Sequence, residues 1–343
     1  MTDTYRRIVL ADRPVGEPTA ANFALREEPV PEPGAGELLC RTIYLSLDPY
    51  MRGRMSEAKS YADPVAVGAT MVGGTVSQVV KSNNPAFKGG DFVAGMTGWT
   101  EFAVDNGAAM RKLDPAQAPL STALGVLGMP GVTAHTGLMN IGRPQAGETV
   151  VVAAASGPVG GMVGQIAKIK GCRAVGIAGS PEKCAHVVDV LGFDACVSHR
   201  DPGFRTALGK ACPDGIDVYF ENVGGAVWET VMPLLNPFAR VPVCGLIAGY
   251  NMTELPPGPN KIPLMMRDVL TKRLTLRGFI VSDFLDQWPQ ALGEIAGWLR
   301  EGKVAYREDV VQGLENAPEA FMGLLKGRNF GKLVVQVGHD PTA

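Results

Sequence analysis

Residues Thr149–Lys170 read TVVVAAASGPVGGMVGQIAKIK. A short apolar run, Thr149–Ala155, meets a glycine-dense turn, Ser156–Gly161. A segment with helical spacing follows, in which Met162, Val163, Ile166, Ala167 and Ile169 are apolar while Gln165, Lys168 and Lys170 are polar. A strand that turns tightly into a helix aims backbone N–H groups and the positive helix end at a phosphate. The contacts it predicts are Ser156, Gly157, Val159 and Gly160. Gly157 and Gly160 match the last two glycines of G-x-G-x-x-G; Ala155 holds the first place and lacks glycine's freedom at positive φ.

The residues around this element repeat its rhythm. Strand Thr149–Ala154 precedes helix Gly157–Lys170, strand Arg173–Ala178 precedes helix Pro181–Leu191, and strand Ala195–Ser198 precedes helix Phe204–Ala211. Strand Ile216–Glu221 precedes helix Val227–Leu235, and strand Ala239–Cys244 follows. A Gly/Pro-rich loop, Gly245–Pro263, leads to a strand at Leu274–Val281 and a helix at Leu285–Glu301. Such alternation predicts an α/β fold, a doubly wound parallel sheet with helices on both faces and its ligand outside the carboxyl ends of the strands. This domain spans 126–304.

Residues 1–125 read differently. Leu38–Leu45, Met71–Val80, Phe92–Ala94 and Phe102–Val104 are short strand-like runs separated by turns rich in Pro and Gly, which suggests a compact, mostly-β, barrel-like domain. Within it, Leu45–Met55 (LSLDPYMRGRM) sets Tyr50, Arg52 and Arg54 after an Asp-Pro pair, a dense polar and aromatic loop suited to the wall of a pocket. The tail, 305–343, ends in a strand at Lys332–Val337 that is expected to rejoin this first domain.

Bulk properties narrow the function. The 343 residues exceed a usual single domain. The charge of −2, from 32 basic and 34 acidic residues, offers no cationic field for nucleic acid or anionic lipid. Ile8–Ala11 is too short for the apolar core of a secretory signal, and polar residues interrupt the longest apolar stretch, so neither export nor a membrane span is expected. Six cysteines without a C-x-x-C pair read as reduced thiols of a cytoplasmic chain.

The second strand of the alternating region ends Ala178-Gly179-Ser180 with no carboxylate where an NAD site needs one for the ribose 2′-OH. Ser180 and Pro181 suit N-cap and N1 of the next helix. A capping box would put Glu or Gln at N3, but Lys183 stands there. A cation in a first turn opposes the helix dipole, and a bound 2′-phosphate would reverse that sign, so NADPH is favoured; the plain reading of Lys183 is a solvated surface lysine. The four histidines, His135, His186, His199 and His339, form no ligand-like pattern with cysteine, and no metal site is expected. With no metal to stabilise an alkoxide, a conjugated carbonyl is the better hydride acceptor, since its oxygen needs only hydrogen bonds as enolate charge develops.

Tyr250, in the loop after the fifth strand, is the first candidate donor to a ribose or an enolate oxygen, and Tyr50 the second; each can also serve packing alone. Arg52 and Arg54 read as structural or surface charges. Asn222 ends the fourth strand before Val223-Gly224-Gly225, as a turn former or a cofactor contact. Asn329 follows a helical stretch and reads first as a C-cap. His135 reads as a helix-face histidine, and His199-Arg200, at the end of the third strand, either touches the adenosine end of a cofactor or is exposed loop charge.

Taken together, LSLDPYMRGRM (45–55), GVLGMPGVTA (125–134), AAASGPVGGMVGQIAK (153–168), AGSPEKC (178–184), ENVGG (221–225), Gly249-Tyr250-Asn251, LPPGP (255–259), LENAPEAF (314–321) and GRNFGK (327–332) resemble the zinc-independent medium-chain dehydrogenases/reductases. Within them the chain is most similar to the leukotriene dehydrogenase/prostaglandin reductase branch and its bacterial NADPH-dependent curcumin reductases. The resemblance implies a GroES-like catalytic domain, a Rossmann domain, a homodimer, and NADPH-dependent reduction of the carbon–carbon double bond of enones and enals. It implies that Lys183 meets the 2′-phosphate, that Asn222 and Asn329 meet the cofactor, that Tyr250 acts near the nicotinamide ribose and that Tyr50 lines the pocket. Two positions depart from the mammalian-type pattern, His135 and His199, where tyrosines are expected. A quinone reductase on the same scaffold and a non-enzymatic NADPH-binding protein are the alternative readings.

Overall fold

A computed structural model describes residues 3–343. They divide into two compact units, one running to Gly125 and resuming at Glu308–Ala343, the other Val126–Arg307. The first unit opens with strands β1 (Thr4–Leu10), β2 (Phe23–Pro29) and β3 (Leu38–Ser46), the short helix α1 (Tyr50–Arg54), and strands β4 (Thr75–Ser82), β5 (Phe92–Gly95), β6 (Phe102–Asp105) and β7 (Arg111–Leu113). The second unit contains α2 (Met129–Gly137), β8 (Thr149–Ala153), α3 (Pro158–Ile169), β9 (Arg173–Ala178), α4 (Pro181–Asp189), β10 (Ala195–Ser198), α5 (Phe204–Ala211), β11 (Ile216–Phe220), α6 (Gly225–Val231), β12 (Leu235–Val243), α7 (Ile262–Lys272), β13 (Thr275–Gly278) and α8 (Trp288–Arg300). Strand β14 (Glu308–Gln312), helix α9 (Ala317–Leu325) and strand β15 (Lys332–Gln336) complete the first.

In the second unit six parallel strands run in the order β10-β9-β8-β11-β12-β13. This is the doubly wound order, with the chain reversing direction across the sheet between β8 and β11. Every residue of β8 is buried, because Val150 and Val152 face one apolar cluster with Val163, Ile166 and Val187 while Val151 and Ala153 face another with Phe204, Leu208 and Val231. A strand covered on both faces reads as a continuous apolar run, which is how TVVVA reads.

In the first unit β3 organises a mixed sheet of order β14-β15-β3-β4-β5-β7. One edge of β3 pairs with β4; on the other, Leu38–Arg41 pair with β6 and Tyr44–Ser46 with β15. The chain's last strand is thereby returned to a neighbour almost 300 positions earlier, as expected for the tail. Trp99, stacked on Phe23 at 5.6 Å and edge-on to Phe321 at 5.7 Å, centres the apolar core of this unit.

Several expected elements change. Residues 45–55 do not form a plain loop: Tyr50–Arg54 is helical, begun by Asp48-Pro49. The helix expected at Val227–Leu235 stops at Val231, and Leu235 already opens β12. Helix α7 was not foreseen, nor were β1 and β2. The helix expected at Leu285–Glu301 starts at Trp288, where Pro289 takes an early helical position suited to its fixed φ.

Candidate functional site

At the end of β8 the chain enters its turn with Ala154 at φ 54°. The freedom expected of glycine at position 155 is required one residue earlier, and alanine supplies it at a cost of about 1 kcal/mol. Ala155 is buried beneath the turn. The Gly157 N–H donates to Ala154 O at 2.9 Å, and a Cβ on Gly160 would lie 2.4 Å from that same oxygen. Only glycine lets α3 start this close to the strand. Gly157 is the N-cap, Pro158 follows, no side chain caps the helix and its first turn carries no acid. The Val159 and Gly160 N–H groups belong to the turn whose donors have no helical acceptor. The local fold thus leaves a positive helix end ready for an anion.

A second corner forms where β9 and β10 end. Ser180 caps α4, its Oγ accepting the Lys183 N–H at 3.2 Å. A Cβ on Gly179 would come within 3.5 Å of His199 Nε2 and 3.9 Å of the Arg200 guanidinium. His199 is held below the usual imidazole range, first by partial burial of its ring, then by Arg200 and Lys183. Three basic groups therefore converge beside Gly179 and Ser180, and Glu182 of the same turn is exposed. The arrangement suits a dianion and lacks the carboxylate that would recognise a ribose 2′-OH.

A third cluster crosses the point where the sheet order reverses. Asn222 Nδ2 donates to Ala153 O at 2.9 Å, tying the exit of β11 to the exit of β8. Glu221, fully buried, accepts from the Val223 and Gly224 N–H groups at 2.6 and 2.9 Å, and burial raises its carboxyl above the usual range. It shapes the turn in which Gly224 and Gly225 take φ of 76° and 56°. Tyr250 folds back over its own loop: its hydroxyl accepts the Leu246 N–H at 3.4 Å and lies 3.3 Å from where a Cβ of Gly245 would stand.

Of the remaining candidates, all but His135 lie in the first unit. Lys332 Nζ donates to Leu47 O at 2.8 Å and to Asp48 Oδ1 at 2.9 Å, and Ser46 Oγ donates to the other Asp48 oxygen. This buried set fixes the turn that starts α1 and so places Tyr50. The Tyr50 hydroxyl is buried without a hydrogen-bond partner, and burial, with Asp48 adding to it, pushes its pKa well above the usual phenol value. Asn329 donates to Gly331 O at 2.9 Å. It is not the C-cap of α9: Lys326 holds that place and Gly327, at φ 66°, follows at C′, with the Gly327 and Arg328 N–H groups bonded back to Leu324 and Gly323. Arg52 is buried against Gly16 O at 2.7 Å, a structural position. His135 is buried in the second unit, with Nε2 3.0 Å from Glu294 and its ring beside Trp298.

Sequence reasoning did not single out Asp48, Lys332 or Glu221, although all three sit inside motifs already noted; Asp48 and Lys332 lie 284 positions apart. Among the described residues no group of three or more His, Cys, Asp and Glu is placed to hold a metal ion.

A doubly wound sheet with an anion-ready turn, a basic corner and a separate mixed sheet defines a nucleotide-binding oxidoreductase. Residues 6–113 match the family described as the N-terminal domain of oxidoreductase and 158–297 that described as zinc-binding dehydrogenase. The chain is 56% identical to the NADPH-dependent curcumin reductase of Escherichia coli, covering 98% of this chain and 97% of that one. It is 39% identical to the 2-alkenal reductase (NADP(+)-dependent) of Nicotiana tabacum, covering 98% of both. The crystal structure of CurA in complex with NADPH from Vibrio vulnificus superposes with a TM-score of 0.95 at 54% identity, over 98% of this chain and 100% of that one. The chain belongs to the medium-chain dehydrogenase/reductase family, as its motifs suggested.

Proposed function

We propose that this protein uses NADPH to reduce the carbon–carbon double bond of α,β-unsaturated ketones and aldehydes, curcumin-like dienones among them, without zinc. One observation carries the reading: the carboxyl ends of β9 and β10 gather Lys183, His199 and Arg200 where an NAD site would hold an acid. The names of the relatives point to the same chemistry.

The chain's own groups fit the cofactor. The cradle over Ala154 O would fill with any Cβ at position 160. Ser156, Gly157, Val159 and Gly160 would hold the pyrophosphate, while Gly179, Ser180, Lys183 and His199 would hold the 2′-phosphate. Asn222, Tyr250 and Asn329 are the proposed contacts at the other end. When bound, the reduced nicotinamide supplies hydride to the β-carbon of the conjugated system. Tyr250 is the first proposed donor to the carbonyl oxygen as it gains negative charge, and Tyr50, which the resemblance assigns to the pocket, is the second candidate. Burial keeps Tyr50 a phenol, hence a donor, across the physiological range. Water or Tyr250 delivers the proton to the α-carbon. The absence of a ligand cluster among the described residues supports the zinc-free reading.

We further propose a cytoplasmic homodimer. The edge strand β13 pairs with β12 alone, and α7 exposes Ile262, Leu264, Met266 and Leu270. All six cysteines are free, as a reducing compartment keeps them, and no helix among the described residues is long and apolar enough to cross a membrane.

The test is a turnover panel of an enone, an enal, a curcumin-like dienone and a quinone, run with NADPH and NADH in parallel. Turnover of the conjugated carbonyls with NADPH is expected. Turnover of quinones alone, or tight NADPH binding with no turnover at all, would overturn the reading.

A further inference from the structure

Cys184 and Cys196 form a thiol pair directly beneath the basic corner. Cys184 follows Lys183 in the first half of α4, and Cys196 is the second residue of β10. Three facts bring them together. Cys196 pairs in register with Gly176 of β9, whose missing side chain leaves room that Cys196 Sγ and Val187 Cγ1 share: a Cβ there would lie 3.0 and 2.9 Å from them. Val187, fully buried, stands one helical turn after Cys184, so both side chains point from the same face of α4 toward the sheet. The two thiols are close enough for each to be the leading influence on the other's titration.

We propose that Cys184 and Cys196 are a redox-active pair, Cys184 attacking and Cys196 resolving, whose disulfide withdraws Lys183 from the ribose phosphate and lowers the affinity for NADPH. The effect on NADPH rests on the cofactor reading above; the disulfide itself does not.

The roles follow from the surroundings. Cys196 packs against the apolar cluster under the sheet, whereas Cys184 stays outside it; in keeping with this, the neighbouring thiol and the Ala178 backbone lower the Cys184 pKa, while the Cys184 thiol and burial push Cys196 up. A thiolate is the nucleophile in sulfur oxidation. Both residues are only partly buried. The other cysteines differ: Cys40, Cys172 and Cys212 are buried with thiols raised by desolvation, and Cys244 is raised to about 12.

The oxidant is a hydroperoxide. The Cys184 sulfur attacks the peroxide oxygen and the O–O bond breaks. Cys184 becomes a sulfenic acid and the departing oxygen leaves, after taking a proton, as water or an alcohol. The Cys196 sulfur then attacks the sulfenic sulfur, the S–O bond breaks, and the Cys196 proton leaves with that oxygen as water. Two thiols lose two electrons, and the peroxide gains them. Closing the bond brings the sulfurs to about 2.05 Å, pulling the first turn of α4 onto β10 with Lys183 beside the moving residue. A thiol reductant reverses the step, and transient disulfides of this kind occur in reducing compartments.

The experiment treats the full-length protein with hydrogen peroxide at one equivalent per chain, then counts thiols, maps peptides without reduction, and titrates NADPH by fluorescence. Two of the six thiols should disappear and a peptide linking Cys184 to Cys196 should form. NADPH affinity should fall by about tenfold and return with dithiothreitol. In C196S a dimedone adduct should appear on Cys184, and C184S should keep its remaining five thiols and its affinity after peroxide. Six intact thiols, or a linkage between other cysteines, would overturn the pair. A Cys184–Cys196 linkage with unchanged affinity would overturn the gating. A reduced protein that binds no NADPH at all would sink the cofactor reading while the linkage still tested the thiols.

Discussion

Lys332 Nζ lies 2.9 Å from Asp48 Oδ1 with both side chains sealed from water, at 3% and 8% exposure. The pair joins the start of β15 to the turn that launches α1, and its remaining valences are met by Leu47 O and Ser46 Oγ. Removing one member of a buried pair strands the other, at about 3–5 kcal/mol. Lys332→Met should therefore lower stability by that order in urea denaturation, and Asp48→Leu with Lys332→Met should recover most of it. A single variant that loses less than about 1 kcal/mol would show that the turn is held by something else.

That pair marks the boundary of what the chain reveals by itself. The parallel sheet was legible because each strand is buried on both faces and each helix begins after a turn signal; β9, β10 and α5 have their expected bounds. Helix α7 was hidden by the prolines and glycines before it and by its pattern. Only Met265 and Val269 pack against the sheet's apolar cluster, while Ile262, Leu264, Met266 and Leu270 face outward. Strands β1 and β2 carry charges on their exposed faces, as in TYRRIVL and FALREEP, and it is their pairing with each other, with bridges from β1 to Thr70 and Thr100, that makes them strands. Ser180 and Lys183 were readable at the site because capping is local. His199 and Arg200 were readable as candidates from their place at a strand end, but their approach to Gly179, like that of Lys332 to Asp48, was not, because distant segments create those contacts.

Lys183 should change sign with the ligand. Its ammonium in the first turn of α4 opposes the helix dipole, so Lys183→Ala should raise the stability of the ligand-free protein by a few tenths of a kcal/mol. The same change removes a charged contact to the proposed 2′-phosphate, worth about 1.5–3 kcal/mol, so the KM for NADPH should rise roughly 10- to 100-fold. The KM for NADH should barely move. Thermal shifts with each nucleotide, beside steady-state kinetics, read both effects; equal losses for NADPH and NADH would place Lys183 away from the phosphate.

His199 makes the same corner sensitive to pH. Burial, Arg200 and Lys183 hold its pKa below the usual imidazole value, so the folded protein binds fewer protons there than the unfolded chain does. Stability from this residue is full above the unfolded imidazole pKa, about 6.5, and declines as pH falls through it toward the lower folded value. A phosphate dianion beside the ring raises that value again, so NADPH binding takes up a proton in this window and tightens as pH falls from about 8 to 6. The slope of log Kd against pH should be smaller in His199→Gln. Identical slopes in the two proteins would show that the imidazole does not meet the phosphate.

The two tyrosines should separate by stability. Tyr250 accepts a weak 3.4 Å hydrogen bond at an exposed loop, so Tyr250→Phe should leave the melting temperature within a degree or two. Tyr50 buries a hydroxyl with no partner, a group that costs about 1–3 kcal/mol to desolvate, so Tyr50→Phe should make the ligand-free protein more stable. On the proposed reaction that cost is recovered when a carbonyl oxygen accepts the Tyr50 bond. Both variants should lower kcat for an enone, Tyr250→Phe by about 10²-fold if its proton is transferred and Tyr50→Phe by the smaller factor of a lost hydrogen bond. A Tyr50→Phe protein that melts higher yet turns over at the original rate would make the unpartnered hydroxyl a packing defect with no part in the reaction.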